Sequence, residues 1–145
     1  MKITVHENPD ISEPEVSVIC SKVTEEIHEL IANISLIGES FAGTRDEEVC
    51  FIPINDIYYF ESVDGKSFFY TETDTYEAAE KLYQIEEKLR NRKFARVSKT
   101  AIVNLKMMHS IKKAENSRLV ATLANGEKLL VSRKYVFEIR KKLGV

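Results

Sequence analysis

A short segment, residues 94–104, concentrates side chains that could bind an anion. It carries two cations, Arg96 and Lys99, with the hydroxyls of Ser98 and Thr100 set between apolar residues. Guanidinium and ammonium groups donate hydrogen bonds to phosphate oxygens, and hydroxyls add further donors. This mixture suits a polyanion better than a catalytic centre. A half-buried strand with a solvated face explains the same residues equally well, so the flanking sequence has to decide.

Two more groups of basic residues extend the pattern, and they fall at predicted element ends or in loops. The start of the last predicted helix, Ser132-Arg133-Lys134, adds free backbone N–H groups and a positive dipole end, which together can bind a phosphate. An ordinary capped surface helix is the alternative interpretation there. The three basic groups are Arg90–Arg96 with Lys99, Lys106 with Lys112 and Lys113, and Arg133 with Lys134.

Charge is divided unevenly along the chain, although the net charge is only -2. Residues 1–50 carry three basic and eleven acidic residues, a balance of -8. Residues 88–145 carry sixteen basic and three acidic residues, a balance of +13. Such asymmetry indicates a nucleic acid, an anionic surface or an acidic partner for the C-terminal part. Mutual neutralisation of the two ends is the other interpretation of the same counts.

The sequence contains no recognisable catalytic motif and no set of residues with metal-ligand spacing. His6, His28 and His109 are scattered without ligand spacing, and no GxSxG or glycine-rich phosphate loop occurs. Cys20 and Cys50 each lie in an apolar, strand-like run, where a reduced cysteine behaves as a small hydrophobe, so we expect two buried thiols. We therefore predict a protein without catalytic residues, cofactor or metal.

Composition is that of a soluble globular protein, with 145 residues, 43% hydrophobic and 30% charged. This length provides one ordinary core, or one domain of about 100 residues with a small appendage. No run approaches the roughly 18 apolar residues of a membrane span, and the first residues lack the pattern of a signal peptide. The expected compartment is the cytoplasm.

The N-terminal part reads as a small acidic unit over residues 1–48. Alternating apolar residues predict strands at 2–7 and 15–20, and helical spacing predicts a helix over 24–34. One more short strand is expected near residues 45–48. The expected arrangement is strand, helix, strand.

From residue 49 onwards strands dominate. Segments 49–54, 57–63 and 66–71 are rich in β-branched and aromatic residues, and Asp64-Gly65 between the last two predicts a type I′ hairpin. An amphipathic helix is predicted over 78–90, with acids early and bases late along its length.

After the 94–104 segment, strands are predicted at 107–113, 118–124 and 127–131, and the last two are joined by a type I′ turn at Asn125-Gly126. Ser132 then caps a final helix. The fold class is mainly β with short helices (α+β). Hairpins exclude a doubly wound sheet, and a helix-turn-helix would need neighbouring helices that these stretches do not supply.

Several ordered motifs resemble one family. They are Phe94-x-Arg96-Val97-Ser98-Lys99-Thr100-x-Ile102-Val103-Asn104, Leu123-x-Asn125-Gly126-Glu127 and Val131-Ser132-Arg133-Lys134-Tyr135, with Ile57–Ser62 and Leu82–Leu89 upstream. In this order and register they resemble the LytTR family of bacterial DNA-binding domains. The resemblance covers residues 49–145.

That resemblance implies an elongated fold of small antiparallel sheets with two short helices, whose loops enter successive major grooves and bend DNA at repeated sites. It implies a homodimer on double-stranded DNA. Many members have His where Ser98 stands and Ser where Thr100 stands, so this chain departs from the family pattern at these two positions. The DNA-contacting residues that it implies are Lys66, Ser67, Arg96, Ser98, Lys99, Arg133 and Lys134.

Only 48 residues precede the matched part, too few for a receiver domain of usual size. The chain therefore resembles short LytTR regulators, whose control is thought to come from a partner such as a membrane-embedded inhibitor. The unit over residues 1–48 is the candidate for dimerisation or for that contact, and a plain sheet extension is the alternative. The second function hypothesis is a non-enzymatic module that docks an acidic protein or membrane surface. No small-molecule substrate is expected.

Overall fold

The computed structural model describes residues 1–12 and 14–145, with only the backbone described at residues 35–38. The chain divides into two units, Met1–Ser35 and Leu36–Val145. Within the described residues there are three α-helices and ten strands, and every strand lies in the second unit. The predicted class, mainly β with short helices, is confirmed. No helix in the described part is long and apolar enough to cross a membrane.

The first unit differs from its prediction. Helix α1, Glu25–Glu39, confirms the predicted helix and continues past the unit boundary. The strands predicted at 2–7 and 15–20 are wrong, because the described residues there form none. Alternation produces a strand only where a neighbouring strand supplies hydrogen bonds. Cys20 is accordingly exposed, against the prediction of a buried thiol, whereas Cys50 is partly buried against the core.

A seven-stranded antiparallel sheet forms most of the second unit. Its spatial order is β2-β1-β5-β4-β3-β7-β6, so strands that are hydrogen-bonded neighbours include β3 and β7, which are distant in sequence. The strands are β1 Ser40–Arg45, β2 Glu48–Pro53, β3 Tyr59–Val63, β4 Lys66–Tyr70, β5 Thr75–Ala78, β6 Phe94–Ser98 and β7 Ala101–Asn104.

Of two tight turns in this sheet, one could be predicted from the sequence and the other could not. Asp64 and Gly65 both have positive φ, 51° and 79°, which confirms the type I′ turn between β3 and β4. Asp46 and Glu47 also have positive φ, 51° and 64°, and join β1 to β2. Sequence predicted one short strand near residues 45–48 and missed this turn, because Asp-Glu is not a usual pair for such a turn.

Helix α2, Leu82–Lys88, is shorter than the predicted helix over 78–90. Residues 75–78 form β5 instead and pair with β4, and Tyr76 and Ala78 are buried. A four-residue strand in a wide sheet is stabilised by its neighbours, and this tertiary context overrides the helical spacing of Ala78 and Leu82.

The second sheet has three strands in the order β10-β9-β8: β8 Met108–Lys113, β9 Leu119–Leu123 and β10 Lys128–Val131. Gly126 has φ 89°, but Asn125 does not have positive φ. The type I′ turn predicted at Asn125-Gly126 is therefore wrong. The amide of Gly126 donates to the Leu123 carbonyl, 2.9 Å, so Asn125 occupies the second central position of a type I turn and Gly126 the bulge after it.

Helix α3, Arg133–Leu143, follows Ser132 and ends at Gly144, which has φ 75°. It packs on β6, and Ile139 is fully buried. Ser132 holds the predicted N-cap position, but its side chain makes no capping hydrogen bond.

The β6–β7 hairpin joins two apolar cores. Phe94 and Ile102 belong to a cluster with α2, whereas Val97 and Val103 belong to a second cluster with α3 and the three-stranded sheet. All four are at most 6% exposed. Alternate residues of a strand point to opposite faces, and here both faces are covered. These apolar side chains anchor the 94–104 segment in both cores.

Candidate nucleic-acid interface

Three of the sequence-predicted segments meet at one end of the seven-stranded sheet. The amide of Ser62, in β3, donates to the carbonyl of Thr100, 2.8 Å. The amide of Ser132 donates to the carbonyl of Val97, also 2.8 Å, which ties the start of α3 to β6. We call this region the turn end, and it comprises Asp64–Lys66, Ser98–Thr100 and Ser132–Lys134.

Four cations of the turn end are exposed: Lys66, Lys99, Arg133 and Lys134. All four were predicted from the sequence. Lys134 Nζ lies 5.5 Å from the centre of the Tyr135 ring, which favours a defined position for its ammonium group. The turn end therefore presents basic side chains from three separate elements on a backbone that is hydrogen-bonded between them.

Arg96 has internal partners. Its Nη1 donates to the carbonyls of Lys99, 2.6 Å, and Ser98, 3.3 Å, and its Nε lies 3.4 Å from Glu86 Oε2 in α2. The side chain is only 16% exposed. A guanidinium used in this way holds the β6–β7 turn. Sequence assigned Arg96 to DNA contact, which stays a prediction, and in the structure its guanidinium bonds the β6–β7 turn.

Ser98 also supports the turn. Its Oγ accepts a hydrogen bond from the Thr100 amide, 3.1 Å, and lies 3.3 Å from the Thr100 hydroxyl oxygen. The pairing of β6 with β7 is irregular between Arg96 and Ser98, which turns the end of the strand. Ser98 is half-buried while Lys99 is exposed, so Lys99 forms the tip that the neighbouring side chains hold in place.

Ser67 does not share the exposure of Lys66. It is 4% exposed and lies in register between Ser62 of β3 and Ala78 of β5. Since successive side chains alternate across a strand, the exposure of Lys66 puts Ser67 on the covered face. This burial argues against the direct DNA contact that the sequence predicted for Ser67.

Lys81 is a basic residue of this region that the sequence analysis missed. Its Nζ donates to the Gly65 carbonyl in the β3–β4 turn, 2.9 Å, and its own amide donates to Gln84 Oε1, 2.8 Å, at the start of α2. The predicted helix began at residue 78 and placed Lys81 inside it. A lysine directly before the first helical residue was the signal that could have identified it.

Other predicted basic residues lie away from the turn end. The amide of Leu105 donates to the Lys93 carbonyl, 2.8 Å, which places Lys93 and Lys106 at the opposite end of β6 and β7. Arg90 is paired with Glu87, 2.7 Å, on the surface of the α2 region. Lys112 and Lys113 lie on β8. The predicted basic groups thus separate into distinct regions.

Two tyrosines have perturbed acidity, away from the turn end. Burial, followed by the negative charge of Glu127, raises the pKa of Tyr59 above its usual value. Its hydroxyl donates to Glu127 Oε1, 3.1 Å, and so links β3 to the β9–β10 turn. Burial and Glu61 raise the pKa of Tyr70, whose ring stacks on Tyr59 at 4.4 Å. These groups join the two sheets.

Comparison with known families decides the class of this site. A family profile for the LytTr DNA-binding domain matches residues 47–144. The chain belongs to the LytTR family of DNA-binding domains. The motif resemblance and the fold therefore agree, and the turn end is part of a LytTR DNA-binding domain.

Solved structures agree. The LytTR domain of a methyl-accepting/DNA response regulator from Bacillus cereus, described as putative, superposes with a TM-score of 0.70 at 25% identity, covering 74% of this chain and 98% of that one. The β-rich LytTR fold with three short helices is thus shared.

Curated relatives fall into two groups. The sensory transduction protein LytT is 32% identical over 123 residues in Bacillus anthracis and 29% over 124 in Bacillus subtilis. This chain spans about half their length, 46% and 52%. An uncharacterised HTH-type transcriptional regulator of Staphylococcus aureus is 22% identical over 100% of this chain and 99% of its own length. In this chain, α2 and α3 are separated by five strands.

Proposed function

We propose that this LytTR chain is a sequence-specific transcriptional regulator that binds double-stranded DNA with its turn end. The observation that carries the proposal is the set of exposed cations on a hydrogen-bonded backbone, within a domain of a DNA-binding family. Phosphate contacts by basic side chains supply affinity and position, and contacts to base edges supply specificity.

The three elements have different roles in this proposal. Lys99, at the tip of the β6–β7 turn, and Arg133, at the start of α3, donate to guanine O6 and N7 in the major groove. Lys66, Lys81 and Lys134 contact phosphates. Ser98 and Arg96 hold the tip of the turn, so in this proposal they contribute to DNA binding by positioning Lys99.

We propose that these three elements insert into successive major grooves, and their order along the sheet supports this. The β3–β4 turn and the α3 start lie on either side of the β6–β7 turn, because β3 neighbours β7 and α3 packs on β6. The proposal includes bending of the duplex along this line of cations, at a cost that extra contacts offset. Repeated sites read by a homodimer complete the proposal, and DNA access places the protein's action in the cytoplasm.

The acidic N-terminal part, residues 1–48, is proposed as the region of dimerisation or of contact with a membrane-embedded inhibitor. Its support is the -8 balance of residues 1–50, which opposes that of the DNA-binding part. Measuring solution mass and DNA stoichiometry of the full chain with and without residues 1–35 tests the dimerisation role.

The test of DNA binding begins with selection of duplexes from a randomised pool by the full chain. The affinity for the selected duplex and for a scrambled duplex is then measured by fluorescence anisotropy at several salt concentrations. We expect preference for the selected sequence and steep weakening with salt, about tenfold or more between low and moderate salt. Equal affinity for both duplexes at every salt concentration would overturn the sequence-specific proposal. Circularly permuted fragments carrying the selected site report bending through their gel mobility.

A further inference from the structure

A second basic surface lies at the opposite end of the β6–β7 hairpin from the turn end. Here the 3-10 turns Ile54–Asp56 and Leu105–Met107 meet the loop that precedes β6. A cleft of about 220 Å³ opens between them. We call this region the cleft end. Its polar lining residues are Asn55, Asn91, Arg92, Lys93, Asn104 and Lys106.

The walls of the cleft are hydrogen-bonded to one another. Buried Asn104, 1% exposed, donates from Nδ2 to the Ile57 carbonyl, 2.8 Å, and accepts from the Lys106 amide at Oδ1, 3.0 Å. The Leu105 amide donates to the Lys93 carbonyl, 2.8 Å. These bonds connect all three segments, so the cations that they carry start from a fixed backbone and lose less freedom on binding.

The charges of the cleft are unopposed within the part of the chain that the structure describes. No ion pair there involves Arg92, Lys93 or Lys106. The cleft is lined by no acidic residue, and Asn55 and Asn91 add amide donors. Three like charges that converge without an anion repel one another, and a bound anion removes this repulsion.

We propose that the cleft end binds a phosphate group, at a site separate from the turn end. Arg92 donates in the bidentate manner of a guanidinium, and Lys93 and Lys106 act as point charges. About 220 Å³ is the liquid volume of roughly seven waters. That space holds a phosphate or a pyrophosphate and is smaller than an ordinary drug-sized pocket. The phosphate comes either from a free anion or from the backbone of bound DNA.

The experiment uses the full chain and inorganic phosphate and pyrophosphate as probes. Amide shifts are followed by ¹H–¹⁵N NMR at constant ionic strength, with chloride as the compensating anion. Lys93→Gln with Lys106→Gln removes two charges from the cleft. Lys112→Gln with Lys113→Gln removes two exposed charges from β8, outside the cleft, and is the matched control.

We expect saturable shifts at the amides of residues 92–93 and 105–106 in the natural chain and in the control. Binding weakens at least tenfold in the cleft variant. Shifts that are linear and equal in all three proteins indicate screening alone and exclude a free-anion site. Unchanged thermal unfolding of the cleft variant confirms that its fold is intact.

The salt dependence of DNA affinity distinguishes the source of the phosphate, and this arm rests on the proposed DNA binding. If DNA backbone occupies the cleft, the slope of log affinity against log salt falls by about two in the cleft variant relative to the control. An unchanged slope with saturable anion binding identifies a free anion. Linear anion shifts together with an unchanged slope overturn the proposal. Lys99 and Arg133 are intact throughout, so loss of this site and loss of sequence-specific binding are separately visible.

Discussion

At each end of the β6–β7 hairpin a polar side chain bonds backbone groups, and the two ends differ in the charge of that side chain. At the turn end the holding residue is a cation, Arg96, whose guanidinium donates to two carbonyls and forms an ion pair with Glu86. At the cleft end it is the neutral Asn104, which serves one carbonyl and one amide. Both leave neighbouring basic residues on the surface. A charged residue in a basic segment is therefore not by itself a contact residue, because the backbone can take its donors.

The largest effect is expected for the neutral holding residue. Asn104→Leu leaves the buried Ile57 carbonyl and the part-buried Lys106 amide without their partner. We expect the free energy of unfolding to fall by about 3 kcal/mol, measured by urea denaturation. Asn125→Ala is the control, because its amide oxygen accepts from Glu127 N in an exposed turn, and it should cost below about 1 kcal/mol. Equal losses in the two variants would show that Asn104 does not hold the cleft end.

A smaller loss is expected for the charged holding residue. Arg96→Lys keeps the charge but cannot reach both carbonyls and Glu86 together. Unfolding free energy should fall by about 2 kcal/mol, and DNA affinity by about tenfold at unchanged base preference, because Lys99 is less well placed. Urea denaturation and anisotropy measure the two effects. Unchanged stability with relaxed preference at one base position would instead make Arg96 a direct reader of DNA.

The smallest effect on stability is expected for Tyr59. It lies at the end of β3 nearer the cleft end, and its side chain is on the sheet face opposite to that of Phe94. Burial and Glu127 raise its pKa in the folded state, so the unfolded chain loses this proton first as pH rises. Stability is therefore full below about pH 10, the usual tyrosine value, and declines above it. Between pH 9.5 and 11 the natural chain should lose about 1 kcal/mol more than Tyr59→Phe. Parallel stability profiles of the two proteins would contradict this link between the sheets.

The sequence predicted the parts of this fold that local chemistry determines. Asp64-Gly65 forms the expected turn, and α3 begins directly after Ser132 as expected. Each of these features depends on a residue's own conformational preference.

Features that depend on distant partners were not predictable in the same way. β5 ends at Ala78, the residue where a helix was predicted to begin, because β4 and β1 lie beside it. The predicted strands at 2–7 and 15–20 have no neighbouring strand among the described residues of their unit. Asn125-Gly126 adopts a different turn, since the Gly126 amide bonds the Leu123 carbonyl, one residue earlier in the chain than a two-residue loop at these positions requires.

The candidate site shows the same division. Lys66, Lys99, Arg133 and Lys134 are exposed as a contact residue has to be. Arg96 and Ser67 are largely buried. Sequence could not predict this, because the bonding partners of a guanidinium and the covered face of a strand depend on the folded sheet. Lys81 was missed because the predicted helix began at residue 78, four residues before the start of α2 at Leu82.

The most direct test compares charge removal at the two ends. Lys99→Gln with Arg133→Gln, and Lys93→Gln with Lys106→Gln, each remove two positive charges. Affinity for the selected duplex and for its scrambled counterpart is measured for both variants and for the natural chain. We predict that the turn-end variant loses about 100-fold of its preference for the selected sequence, whereas the cleft-end variant retains the preference. Retained preference in the turn-end variant, or equal loss in both, would contradict DNA reading by the turn end.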